Sequence, residues 1–399
     1  MSSTPLLVNS QPLPLETLLS TWHLECSACD TRAPGDALAT ICPKCAQPFL
    51  VRYDSAFPSR DSLTPRWDMW RYAPVLPLLA SETPVSLGEG LTPMHDSPAL
   101  AREVGVARLW VKDEGLNPTS SFKARGMSAA VTRARALGVP GFVTPTAGNA
   151  GAALAAYGAA AGLPVRVYAP ASTPAPILET IRVFGADLML VDGHIGDAGK
   201  QARAFAASSG YFDVSTLREP YRIEGKKTMG YELAEQLGWR LPTHIIYPTG
   251  GGTGLIGMWK AFAEMRGGGW LSRDITMPRM IVAQADGCAP IVRAFDAGAD
   301  HATPWENPTT HASGLRVPGP LGDRLILRAV KESHGDALAV SEDAIRAATL
   351  QLSRATGVDA APEGGCALAV VAALARAGRV GREAEVLVFN TGSGASYRY

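Results

Sequence analysis

No sign of charge dominates this chain of 399 residues: Lys and Arg together number 37, as do Asp and Glu. Without an excess there is no long-range pull toward nucleic acid or an anionic membrane, so any anion site has to be local. The opening residues, MSSTPLLVNS, lack the basic flank and apolar core of a secretory signal, and a cytoplasmic location is expected. Long apolar runs are missing too. The one uncharged stretch of membrane-spanning length, residues 141–165, is mostly Gly, Ala, Thr and Asn and is interrupted by Pro145 and Pro164. Gly and Ala contribute little to bilayer transfer, so a buried, closely packed helix is expected there and no membrane partner.

What is present begins with cysteine. Four of the six cysteines fall in two CxxC pairs, Cys26 with Cys29 and Cys42 with Cys45, twelve residues apart. Two such knuckles supply four thiolates, enough to close a tetrahedral zinc site with no open position, which implies a structural metal. Disulfides or plain reduced cysteines are the alternative. The knuckles lack the Lys/Arg-rich surroundings that phosphate contacts demand, so no nucleic-acid partner is expected. Cys288 and Cys366 read as core filler.

Residues 54–100, rich in Pro, Ser and Trp, suggest a lead-in wrapping a domain surface. From Arg108 onward short β-rich runs alternate with helical ones: RLWVK, FVTPT, VRVYAP, ADLMLVD, THIIYPTG, MIVAQAD and EVLVFNTG each neighbour an amphipathic or Ala-rich stretch. Such repetition predicts an α/β protein with parallel sheets covered by helices on both faces. The expected division is a zinc-ribbon-like segment at 1–55, a larger α/β domain from 56–138 and 215–399, and a smaller inserted α/β domain at 139–214.

In open parallel sheets ligands sit at the carboxyl ends of strands, and four such places carry chemistry. In NPTSSFKARG, Ser121 is a plausible helix cap and Lys123 falls in the first helical turn, where the helix dipole disfavours a cation. A depressed ammonium pKa is what an amine needs to attack an aldehyde. In TPTAGNAG, small residues let backbone N–H groups at a helix start hold a carboxylate, and the Asn149 amide can bond a phenolic oxygen. In PTGGGTGLIG, the glycines from Gly250 to Gly254 form a nest of donors with the Thr253 hydroxyl in the ring. It is read as a phosphate-monoester site, distinct from NTP-binding and dinucleotide-binding loops. In FNTGSG, Thr391 or Ser393 can offer a neutral hydroxyl to a heterocyclic nitrogen. Taken singly, each motif also fits an ordinary capped turn or a solvated lysine.

Taken together, the order and spacing resemble the pyridoxal-phosphate (PLP) enzymes of fold type II, the tryptophan synthase β-like group with two doubly wound α/β domains. SFKxRGM, the RIEGKKT segment (Arg222–Thr228), the terminal TGxG, the LGEGLTP segment and the N-terminal ribbon look most like the threonine synthase family. The resemblance covers roughly residues 86–399. It implies that Lys123 carries the cofactor as a Schiff base beside Phe122, that Asn149 bonds its 3′-oxygen, that Gly250, Gly251, Gly252, Thr253 and Gly254 hold its phosphate, and that Thr391 meets the ring nitrogen. The loop with Thr144, Thr146, Ala147 and Gly148 would clasp the substrate's α-carboxylate, and Arg222 would grip an anionic substituent, while Lys226 and Lys227 are expected to be solvated. The implied activity is β/γ-elimination and replacement on an amino acid, O-phosphohomoserine to threonine first among candidates. Dehydratase, ammonia-lyase or β-replacement enzymes, or an inactive binding protein of the same fold, are the alternatives, and homodimers are common in the group. Threonine synthases typically read SFKDRG, SSGNT and GNxGN where this chain has SFKARG, PTAGNA and GGGTG. Ala124 and Ala147 cannot supply the phosphate-binding side chains the family uses there.

Overall fold

The computed structural model describes residues 21–398; residues 1–20, including the opening stretch read above, and Tyr399 lie outside the described residues. Strands β1 (Trp22–Cys26), β2 (Arg32–Pro34) and β3 (Phe49–Tyr53) pair antiparallel in the order β2-β1-β3. Along β1, Trp22, Leu24 and Cys26 are buried and His23 and Glu25 are not, the period-2 alternation of a sheet with one covered face.

The lead-in then reaches β4 (Met94–Asp96), α1 (Pro98–Val104), β5 (Arg108–Asp113) and α2 (Lys123–Ala136). Next come β6 (Phe142–Pro145), α3 (Asn149–Ala161), β7 (Val165–Pro170), α4 (Ala175–Val183), β8 (Asp187–Val191), α5 (Ile195–Ser209) and β9 (Phe212–Asp213). The remainder runs through α6 (Tyr221–Gln236), β10 (His244–Pro248), α7 (Thr253–Gly267), β11 (Arg279–Ala285) and α8 (Pro290–Asp296). It closes with α9 (Asp323–Glu332), β12 (Asp336–Val340), α10 (Glu342–Thr356), α11 (Pro362–Arg376) and β13 (Glu385–Asn390).

Two further sheets result. One has six strands in the order β12-β11-β10-β13-β5-β4, parallel except for β4. The other has four parallel strands in the order β8-β7-β6-β9. Every residue of β10 is buried, as a strand covered on both faces requires. β4, β9 and β12 escaped the reading of the sequence because each is short or, in β12, built of DALAV with only Ala337 fully buried.

The uncharged stretch 141–165 is the helix α3 between two strands, buried from Gly151 to Gly158. A Cβ on Gly158 would collide with Val165, so its lack of side chain sets the helix-to-strand distance. No helix among the described residues is long and apolar enough to cross a membrane. The lead-in departs from expectation. Met69, Trp70, Tyr72, Leu76 and Leu78 are all buried, and the Trp70 Nε1–H donates to Ser128 Oγ at 2.9 Å, so this segment fills a core against α2 instead of wrapping a surface.

Candidate active site

The carboxyl ends of β5, β6, β10 and β13 open on one cavity, lined by Phe122, Lys123, residues 145–150, 250–253 and 313–317, Glu363, Thr391 and Tyr397. The register explains why. Asn390 of β13 pairs with Asp113 of β5, so both strands release their loops at one level. Those loops are then laced: the Phe122 N–H donates to Thr391 O at 3.1 Å and the Ser393 N–H to Ser120 O at 2.9 Å. Thr119 and Ser120 take left-handed conformations, φ 58° and 55°, to make the turn, a strained pair of non-glycine residues just ahead of Lys123.

Lys123 is the first residue of α2, with Nζ 4.3 Å from the Phe122 ring centroid. Burial, reinforced by the positive charge of Arg222 and opposed by Glu363, pulls its amine down to about 7. The depression foreseen from the helix dipole is present, but low solvation is its main cause. Ser121 does not cap the helix; its Oγ has no partner, and Phe122 is the N-cap residue.

The glycine loop between β10 and α7 is tight at every step. A Cβ on Gly250 would strike Gly314 O, one on Gly254 the Tyr247 ring, and Gly252 sits at φ +72° as the N-cap of α7. Backbone donors at the positive end of a 15-residue helix thus face the cavity, as an anion requires. Gly252, Gly254 and Gly257 also spell G-x-G-x-x-G, which the sequence reading passed over in separating this loop from dinucleotide turns. In this chain Gly257 serves helix packing, since a Cβ there would lie 2.9 Å from the Lys227 nitrogen.

On the opposite wall, Thr146 Oγ1 accepts from the Gly148 and Gly151 N–H groups, both at 3.1 Å. That leaves the N–H groups of Ala147 and Asn149 without a protein acceptor among the described residues. Thr391 lines the cavity, whereas the Ser393 hydroxyl donates to Asp359 at 2.6 Å. Thr144, Gly254 and Arg222 do not line the cavity. An amine held near neutrality, a glycine cradle that any side chain would fill, and a neutral hydroxyl together fit pyridoxal phosphate.

Residues 85–392 match the family described as "pyridoxal-phosphate dependent enzyme". The chain is 35% identical over 376 residues to a threonine synthase of Methanosarcina acetivorans, covering 93% of this chain and 91% of that one. The chain belongs to the threonine synthase family of pyridoxal-phosphate-dependent enzymes. A threonine synthase of Methanocaldococcus jannaschii is likewise 35% identical, over 82% of the chain and 80% of its own length. Among solved structures, maize serine racemase superposes with a TM-score of 0.66 at 24% identity, covering 76% of this chain and 88% of that one. Diaminopropionate ammonia lyase from Escherichia coli gives 0.65 at 20% identity, with coverage of 79% and 88%. These likenesses establish the fold type II architecture of this threonine synthase family member, a PLP-dependent lyase.

In this lyase α6 packs against α2 and brings Arg222 and Lys226, one turn apart, toward Lys123. Arg222 is 1% exposed; Nη1 donates to Val214 O at 2.7 Å, while Nε and Nη2 have no partner. The expectation that Lys226 and Lys227 are solvated is wrong, because both are 0% exposed. Lys227 is paired, to Glu224 at 2.7 Å and Glu264 at 3.0 Å. Lys226 is not: its Nζ has no hydrogen-bond partner and lies 4.2 Å from the Phe122 ring centroid. Consecutive lysines look alike in a sequence, and nothing local to RIEGKKT reveals that α6 is buried all round.

The four N-terminal cysteines converge as the spacing predicts. All are free, and their Sγ atoms lie within 4.8 Å of one another. Separations of 3.4, 3.5 and 3.7 Å between pairs are near the ~3.8 Å edge of a tetrahedron of zinc–sulfur bonds. The ribbon also grips α6: the Tyr221 O–H donates to Gly35 O at 2.8 Å, and the Tyr53 O–H to Glu224 at 2.5 Å.

Proposed function

We propose that this enzyme carries out elimination and replacement at the β or γ carbon of an L-amino acid, with O-phosphohomoserine to L-threonine and phosphate as the leading candidate. The carrying observation is Lys123, whose amine is drawn to about 7 in a cavity walled by the glycine loop. Bound pyridoxal phosphate supplies an electron sink for charge at the α-carbon. Lys123 would hold the cofactor and, once free, take the α-proton. The N–H groups of residues 250–254 would hold the phosphate, Asn149 the phenolic oxygen, and Thr391 the ring nitrogen. A neutral hydroxyl there leaves the sink weaker than a carboxylate would, which suits elimination over transamination. The free N–H groups of Ala147 and Asn149 would bind the substrate's α-carboxylate, with Thr146 and Gly148 shaping that loop and Thr144 behind it. The two unpartnered nitrogens of Arg222 suit an anionic substituent. The separation of the two parallel sheets supports a smaller domain at 139–214 inserted in a larger one.

A second reading rests on Ala124, Ala147 and a phosphate loop without asparagine: a dehydratase or ammonia-lyase acting on a substrate with no phosphate. Holoenzyme mixed with O-phosphohomoserine, threonine, serine and diaminopropionate separates the two. Phosphate release with threonine formation supports the synthase; ammonia and a keto acid from the others, with no phosphate released, rejects it. For the ribbon we propose a structural zinc, expected at about one per chain after reducing purification; a content below a few tenths counts against it.

A further inference from the structure

Elimination and replacement move protons at two places. One is the α-carbon, assigned above to Lys123. The other is the heteroatom that joins or leaves the β-carbon: water is a poor nucleophile and hydroxide a poor leaving group, so this transfer needs an acid–base group of its own. Glu363 stands where one is needed. It lies in the first turn of α11, is 5% exposed, and shares the cavity wall with Lys123, at which its charge is felt. Its Oε1 accepts from the Gly314 N–H at 2.8 Å and from the Tyr397 O–H at 2.5 Å, and the Tyr397 hydroxyl is 3.2 Å from Ser313 Oγ. No hydrogen bond from the described residues reaches Oε2. An ionised carboxylate has about four acceptor positions, and buried ones are ordinarily filled on both oxygens. Buried Glu232 shows the ordinary state, both oxygens receiving donors from Lys112, Arg125 and backbone. Gly314 lies close against the clamped oxygen, where a Cβ would come within 2.7 Å of Oε1. One oxygen is clamped and the other is left to the cavity.

We propose that Glu363, braced by Tyr397, is the acid–base residue for the substituent at the substrate's β-carbon, an assignment that rests on the function proposed above. When a hydroxyl is added, Oε2 takes one proton from water as the oxygen forms its bond to the β-carbon, and the α,β double bond opens with its electron pair passing to the α-carbon. When a hydroxyl or amine is expelled, the protonated carboxyl returns that proton to the heteroatom as the bond breaks and the bonding pair leaves with it. Tyr397, its hydroxyl pushed well above the usual range by burial and by Glu363, remains a donor throughout and keeps Oε1 out of the exchange.

The test compares holoenzyme with the Glu363→Gln, Glu363→Asp and Tyr397→Phe variants on L-serine, L-threonine and O-phosphohomoserine in deuterium oxide. NMR reads deuterium entering the α-position, the Lys123 step, and a second assay reads keto acid or threonine. Glu363→Gln is expected to exchange the α-proton within about threefold of the unaltered enzyme while product formation falls ~10²–10⁴-fold, the usual worth of a general acid or base. Glu363→Asp should recover part of the loss, and Tyr397→Phe should lose roughly tenfold, the size of one hydrogen bond to a charged group. Product formation by Glu363→Gln at the unaltered rate overturns the assignment. So does a parallel fall of exchange and product with the cofactor's visible band intact, which makes Glu363 a support of the whole site. If the unaltered protein shows no visible cofactor band, the proposed function itself is lost, and this assignment with it.

Discussion

Two groups of charges, buried except for the half-buried Lys123, lie between α2 and α6, and they are built in opposite ways. At one end Arg125 donates to Glu114 at 2.7 Å and to Glu232 at 2.8 Å, and Lys112 closes on Glu232, with all four side chains 0% exposed. At the other end, two residues back along α2, Lys123 meets Arg222 and Lys226, three cationic groups of which the last two carry nitrogens with no acceptor. The first group satisfies its charges: burial acts against Glu232, yet Arg125 and Lys112 hold its carboxyl down to about 2. The second withholds partners, so burial and mutual repulsion push Lys226 well below the usual amine range. Charges of one helix pair thus serve the fold where they are matched and reactivity where they are not, because an unmatched buried amine sheds its proton and exposes a lone pair.

Removing the reactive member tests the contrast most severely. Lys123→Ala should abolish the visible cofactor band and turnover while leaving the thermal transition of the cofactor-free protein within a degree or two; absorbance and calorimetry read the two effects. In the matched group, Arg125→Met leaves Glu114 and Glu232 buried with a net charge, and urea unfolding should report a loss of about 3–5 kcal/mol. Retained stability would mean that the pairing there is dispensable. The capture of added pyridoxal phosphate by cofactor-free protein should quicken about tenfold per pH unit up to ~7 and level off above it. Only the uncharged amine attacks, and the value is that of Lys123, so a rise continuing to pH 10 would contradict its depression. The smallest effect is at Lys226. Lys226→Met replaces an unpartnered amine by an apolar side chain of similar size and should cost nothing, or gain ~1 kcal/mol. A loss as large as that of Arg125→Met would erase the distinction between the groups.

How far the sequence discloses all this depends on how local each feature is. The cysteine knuckles, the lysine at a helix start and the glycine turns are short-range patterns, and the structure brings Lys123, Asn149, the 250–253 loop and Thr391 to one cavity. The parallel strands were legible where they carry runs of large apolar residues, as in HIIYP, and lost where they are alanine-rich or two residues long, as in β12 and β9. Long-range burial was the least legible. Lys226 and Lys227 read as solvent-facing because their covering comes from α2, α7 and the ribbon, whose Tyr53 meets Lys227 from 174 residues away. Glu363 escaped for the same reason: its significance lies in Gly314 and Tyr397, and APEGG alone announces only a helix start.

The lacing of residues 120–122 to residues 391–393 bears on how the enzyme comes into being. Lys123 leaves the ribosome about 270 residues ahead of the backbone at Thr391 that seats it. At ~5–20 residues per second, the lysine waits on the order of tens of seconds for its partner loop. During that interval a nascent chain has no assembled site in which to trap an aldehyde, and a chain released before β13 and residues 391–393 is expected to acquire none. Cofactor loading is thereby tied to the synthesis of residues 391–393, so a chain broken off before them is expected to stay colourless.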